Sequence, residues 1–180
     1  MYFLDGDLSN AELYLNRARS SGLLFAEREL SYFAFQRGDA ATAIRKWSDG
    51  TRGLQNTLPP GSTEIIANGL YGDAAAHARA LALIDDILAQ PQPRSNGMIP
   101  LSLSLLLLGE PERALSSVLK TPEIDNSDFF ARLWSTNGKP ARALPEFPAF
   151  QRQMGLVTLW DKYGPPDRCK KNGTGDYHCE

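Results

Sequence analysis

The residues that carry most metal and nucleophilic chemistry are scarce in this chain: 180 residues include two histidines and two cysteines. His77 stands alone in an Ala- and Leu-rich stretch, and His178 adjoins Cys179, so no set of ligands occurs at zinc-site spacing. A lone histidine such as His77 reads as a packing or surface residue. No Gly-rich phosphate loop is present either. Charge of one sign is also lacking. Nineteen Lys and Arg against 21 Asp and Glu leave a net charge of −2, without the basic domain or stripe that nucleic-acid binding shows. Long apolar runs are missing too. The longest, Met98 to Leu108, contains Pro100, Ser102 and Ser104 and falls short of the roughly 18 residues a membrane helix needs. The carboxylate pairs are poorly placed for joint acid–base work. Asp85 and Asp86 are adjacent and diverge by about 100° on a helix, while Glu27 and Glu29, two apart, point to different faces. These absences argue against an enzyme: no catalytic residue, no metal and no cofactor is expected.

What the chain does have is helical patterning. Hydrophobic residues make up 42% and charged ones 22%, a globular balance, and the length suits one ordinary domain or a short solenoid. The segment from Ala26 to Leu54 reads as two antiparallel helices joined at Gly38-Asp39. In the first, Leu23, Leu24, Leu30, Phe33 and Ala34 recur at helical spacing. Gly38 supplies the positive φ that ends a helix, and Asp39 caps the next. In the second, Ala43, Ile44 and Trp47 share a face, continued by Gly50 and Leu54. Small residues at Ala34, Ala43 and Gly50 allow close approach.

The turn recurs. Gly6-Asp7, Gly38-Asp39, Gly72-Asp73, Gly109-Glu110 and Gly138-Lys139 are separated by 32, 34, 37 and 29 residues. Five residues after each glycine come Ala11, Ala43, His77, Ala114 and Ala143; nine after come Leu15, Trp47, Leu81, Val118 and Phe147. Seven before it, Ser31, Ser102 and Ala131 supply small residues in three of the units. This register over residues 6 to 150 resembles degenerate tetratricopeptide repeats, whose period is about 34 residues. The resemblance implies an all-α, tetratricopeptide-like right-handed superhelix of about four helical hairpins over 1–163. A tail occupies 164–180, with a small disulfide-closed hairpin among its readings. Because Asn10 to Arg19 carries the second-helix signature with no first helix before it, the chain is expected to be a piece of a longer protein, its first unit truncated.

Further along, Ser62 or Thr63 is expected to cap a helix through Tyr71. Asp73 to Gln90 is a helix, and Pro91 to Pro100 reads as a linker. Leu101 to Leu108 is apolar nearly all round. It fits a buried helix better than its Leu-Ser alternation fits a strand, because Pro111 comes after Gly109-Glu110 at a first helical turn. Ser127 or Asp128 caps Phe129 to Thr136. Pro145 and Pro148 shorten or kink the helix that Pro140 opens. Phe147 to Tyr163 has the spacing of one capping helix, stopped by Gly164-Pro165-Pro166.

In the tail, strands folded at Asn172 to Gly175 would bring Cys169 and Cys179 within bonding reach. Free thiols and a metal site using His178 are the other readings. A structural disulfide implies an oxidising compartment, with export directed by an upstream part. The closing segment FPAFQRQMGLVTLWDKYGPPDRCKKNGTGDYHCE resembles the C-terminal end of membrane-spanning winged-helix transcriptional regulators of the CadC and ToxR type, whose periplasmic part is a long tetratricopeptide region. The resemblance implies a periplasmic, non-catalytic sensory or interaction domain, membrane-anchored only through an upstream segment. Its partner would be a protein or peptide, or a second copy of itself. The DNA-binding and membrane parts do not lie in this chain, so DNA binding does not carry over. An assembly adaptor or chaperone-like scaffold is the alternative. The expected concave face of such a solenoid carries Phe25, Arg28, Tyr32, Phe35 and Gln36, with Asp128 and Arg132 in equivalent places on the last hairpin. The competing reading makes Phe25 and Phe35 core.

Overall fold

The computed structural model describes residues 7–23, 25–52, 58–90, 98–120 and 127–180, the side chains of 98–100, 127, 128 and 136 excepted. It is mostly helical, with a C-terminal strand hairpin, and divides into two compact units, Met1–Gly97 and Met98–Glu180.

In the first unit α1 (Leu8–Ser20), α2 (Phe25–Gln36), α3 (Ala40–Gly50), α4 (Ser62–Tyr71) and α5 (Ala74–Ala89) pack each against the next. Local chemistry sets the turns. Gly38 has φ 81°; its N–H donates to the Phe35 carbonyl at 2.9 Å and that of Asp39 to the Ala34 carbonyl at 3.0 Å, which closes α2 in a left-handed cap. Asp39 then accepts from the Thr42 N–H at 2.9 Å and starts α3. Asp7 and Asp73 cap α1 and α5 in the same way, satisfying an N–H that a helix start leaves unpaired.

Between α2 and α3 the fit is close. A Cβ on Gly50 would stand 2.3 Å from the Arg28 main-chain nitrogen, so only glycine admits this approach. Ala26, Ala34 and Ala43 are buried alongside, with Trp47. Ala11, Leu30 and Phe33 form a cluster between α1 and α2, with Leu15 and Tyr32 against it.

Several expectations shift. Leu23 lies in the turn after α1 and is exposed, because the helix starts at Phe25; Leu24 and Leu54 lie outside the described residues. Gly61, at φ 80°, precedes α4 without a side-chain cap, and Ser62 and Thr63 are buried. Gly72 is extended rather than left-handed. The buried stripe of α5 is accordingly Ala76, Ala80, Ile84 and Ile87, one residue earlier than the repeat register, which leaves His77 and Leu81 half-buried.

The second unit holds α6 (Met98–Leu107), α7 (Pro111–Leu119), α8 (Ser127–Leu133), a 3-10 turn at Thr136–Gly138 and α9 (Lys139–Arg142). It continues with α10 (Phe147–Gln153), α11 (Leu156–Tyr163), β1 (Cys169–Lys171) and β2 (Tyr177–Cys179). Gly109, at φ 81°, repeats the left-handed cap of Gly38. The described side chains of α6 are buried nearly all round. Ser102 Oγ lies 2.7 Å from Ser117 Oγ on α7. Farther on the repeat register lapses. Gly138 sits in the 3-10 turn, so close to the Leu133 backbone that a Cβ would clash. Ala131 and Ala143 are exposed, and Ala141 is buried. The single helix expected over 147–163 is broken at Gly155, φ 71°. Phe129, Phe147 and Phe150 form the aromatic core.

Candidate functional site

Two places hold the residues worth weighing, one in each unit. The first is the α2 face. Phe25 and Phe35 are 47% and 41% exposed, and Gln36 is exposed. Arg28, expected at the centre of a peptide groove, is 7% exposed; its Nε donates to Glu29 Oε1 at 3.3 Å. The reason is Gly50, whose missing side chain lets α3 close over Arg28. Tyr32 is half-buried, edge-on to Phe33. Phe35 has one side committed: its ring centroid is 5.2 Å from that of Tyr71, at the end of α4. Tyr71 also lies edge-on to Trp47, and its hydroxyl is 2.5 Å from the buried Ser31 Oγ. Tyr71 therefore docks α4 on the α2–α3 hairpin, and Phe35 covers it.

Charges tie the same elements together. Glu27 accepts from Lys46 of α3 at 2.7 Å and lies 3.7 Å from Arg19 of α1. Exposed apolar surface collects nearby. Of nine large apolar side chains exposed among the described residues, six are Leu8, Leu13, Tyr14, Leu23, Phe25 and Phe35, all on α1, α2 and their turn. Arg132 is half-buried on α8, and the Asp128 side chain lies outside the described residues. The structure therefore leaves Phe25, Phe35 and Gln36 accessible on α2 and removes Arg28.

The second place is the disulfide hairpin and its seat. Cys169 and Cys179 are bonded, directly opposite in an antiparallel pair with Cα atoms 4.1 Å apart. Within the hairpin, Cys169, Tyr177 and Cys179 are buried. Trp160 of α11 lies edge-on to Tyr177 at 5.2 Å. Asp161 accepts from Lys171 Nζ at 2.5 Å and from the Tyr177 hydroxyl at 2.8 Å. The Lys171 bond, then the tyrosine, hold the Asp161 carboxyl below its usual range, and the bond to Asp161 raises the Tyr177 hydroxyl.

Arg142, which no motif or spacing singles out, is 3% exposed. Its guanidinium donates to the main-chain oxygens of Leu133 at 2.5 Å, Ser135 at 3.1 Å and Glu180 at 2.7 and 3.1 Å. It also lies over the Trp134 ring. Burial, and then Arg168, lower its pKa. Gln151, wholly buried, places Nε2 3.5 Å from Cys179 Sγ, while its Oε1 has no partner among the described residues. Beside this seat a groove of about 220 Å³ runs between Leu144–Pro148 and the hairpin, with Asn172 and His178 on the hairpin side. Four of the five N–H donors of Arg142 bond to main-chain oxygens, so this seat ties Leu133, Ser135 and Glu180 together.

Among the described residues no three His, Cys, Asp or Glu side chains gather as a metal site, and no helix is long and apolar enough to cross a membrane. No protein-family profile, curated protein or solved structure matches this chain.

Proposed function

We propose that this chain is a non-catalytic interaction module, working by binding a protein or peptide in an oxidising compartment. The observation that carries the reading is the concentration of exposed apolar side chains on the α1–α2 hairpin, because exposed apolar residues gathered on one part of a surface, rather than scattered singly, mark interaction sites. The buried disulfide supports a non-cytoplasmic setting. The finer reading adds a tetratricopeptide-like right-handed superhelix, serving as the periplasmic sensory part of a membrane-anchored transcriptional regulator. Its support is the repeat of left-handed glycine caps at Gly38 and Gly109, the buried Ala11, Ala43 and Ala114 in register, and the tail resemblance. A peptide-display selection on the immobilised protein tests the binding role. Peptides sharing an apolar motif should emerge, and Phe25→Ala with Tyr14→Ala should lose them while far-UV circular dichroism is unchanged. Selected peptides that bind this variant as tightly as wild type would refute the surface. The finer role is tested by reading the frame upstream, where a membrane helix and a winged-helix domain are expected; a different upstream architecture overturns it.

A further inference from the structure

The tip of the disulfide hairpin brings an electrophile and a nucleophile together. Asn172 is exposed, and its Oδ1 accepts three hydrogen bonds: from Thr174 N at 3.1 Å, Thr174 Oγ1 at 2.7 Å and Asp176 N at 3.0 Å. The bond to the second following N–H is an Asx turn. The hydrogen-bonded ring it closes contains both Asn172 Cγ and the Gly173 nitrogen. The Gly173 N–H makes no hydrogen bond among the described residues, and a Cβ at Gly173 would meet nothing within 4 Å, so neither pairing nor crowding restrains that nitrogen. Three donors on one amide oxygen are the arrangement that stabilises an oxyanion at a carbon under attack.

We infer that Asn172-Gly173 is a site of spontaneous intramolecular deamidation. The Gly173 nitrogen gives its proton to solvent and bonds to Asn172 Cγ, whose oxygen takes up the charge under the three donors. The Cγ–Nδ2 bond then breaks as Nδ2 takes a proton from solvent and leaves as ammonia, giving a succinimide. Water opens the ring at either carbonyl, leaving aspartate or isoaspartate at that position. No oxidant or reductant takes part. The isoaspartate product lengthens the main chain by one carbon inside the loop that Cys169–Cys179 closes, so the turn is remodelled while the bond keeps the strands tied.

Two further Asn-Gly pairs serve as internal comparisons. Asn68-Gly69 lies within α4, with Asn68 Nδ2 held by the Glu64 carbonyl at 2.7 Å. The Gly138 nitrogen of Asn137-Gly138 donates to the Ser135 carbonyl at 3.1 Å. A fourth pair, Asn96-Gly97, lies outside the described residues.

The test incubates the intact oxidised chain in mildly alkaline buffer. Asn172, Asn68 and Asn137 are tracked by peptide mapping and mass spectrometry, with enzymatic labelling of isoaspartate. Asn172 should convert several-fold faster than Asn68 and Asn137. Gly173→Ala, which the open space and ordinary φ tolerate, should slow it several-fold with unchanged circular dichroism. Thr174→Val should slow it through loss of the Oγ1 donor. Conversion at Asn172 no faster than at Asn137, or a rate unaltered by Gly173→Ala, overturns the inference. A several-fold acceleration on reducing and unfolding the chain also overturns it, because the turn would then protect rather than activate.

Discussion

Replacing Arg142 with methionine isolates what one buried guanidinium contributes. The substitution keeps an apolar stem of similar length and removes every donor. Leu133 is wholly buried and Ser135 is 2% exposed, so their carbonyls, which accept at 2.5 and 3.1 Å, would find no water. Each orphaned buried acceptor costs about 1–3 kcal/mol. The Glu180 residue is exposed, so its oxygen regains solvent and adds little. Against this, methionine escapes the cost of burying a charge, visible in the lowered pKa of Arg142. The balance is a loss of about 2–4 kcal/mol. For a unit of this size that corresponds to a fall in Tm of roughly 10–25 °C. Near-UV circular dichroism is the assay of choice, since Trp134 and Trp160 lie 5.8 Å apart in the same unit and report its melting. Arg142→Lys separates charge from geometry: a point charge cannot reach carbonyls on both sides, so an intermediate loss is expected. If Arg142→Met lies within about 0.5 kcal/mol of wild type, as a surface substitution would, the clamp contributes nothing and the reasoning fails.

Three further outcomes are expected. Removing the disulfide with Cys169→Ser and Cys179→Ser should cost about 2–3 kcal/mol by freeing a short loop in the unfolded chain. Native protein should resist alkylation and gain two hydrogens in intact mass on reduction; alkylation of unreduced protein would contradict the bond. Gly50→Ala should destabilise by about 1–3 kcal/mol of overpacking, read as a lower denaturant midpoint, because its Cβ would stand 2.3 Å from the Arg28 nitrogen; an unchanged midpoint would show that α2 and α3 are not this close. The Thr42 N–H holds the Asp39 carboxyl below its usual range. Its cap contribution is therefore present above the unfolded pKa of about 3.9 and is lost as pH falls through the lower folded value. An NMR titration placing Asp39 at or above the ordinary value would refute this.

Local chemistry was legible wherever one residue type decides a backbone conformation. Gly38 and Gly109 end helices in the left-handed region as their sequence position requires, and Asp39 and Asp73 cap the helices that begin just after them. The same pattern misread Gly72 and Gly138, which share the letter but not the φ. At Gly72 the backbone is extended instead, and the buried stripe in α5 lies one residue earlier than the repeat register. Glycine in the sequence marks either a special φ or a close approach. At Gly138 the close approach to Leu133 decides. At Gly155 the positive φ does, and it broke a helix that apolar spacing alone had drawn through it.

The candidate surface was less legible, for a reason that Arg28 and Arg142 share. Helical periodicity assigns a face but not its depth, and depth depends on what a distant residue lacks or offers. Arg28 is buried because position 50 has no side chain. Arg142 is buried because three main-chain oxygens, 7, 9 and 38 residues away, converge on it. Main-chain oxygens are the same at every position, so nothing in the letters marks those that will receive a guanidinium. Two arginines that would count as surface charges by composition thus turn inward. Of the α2 residues expected to line a binding face, the accessible ones are Phe25, Phe35 and Gln36, two apolar and one neutral, with no charge among them.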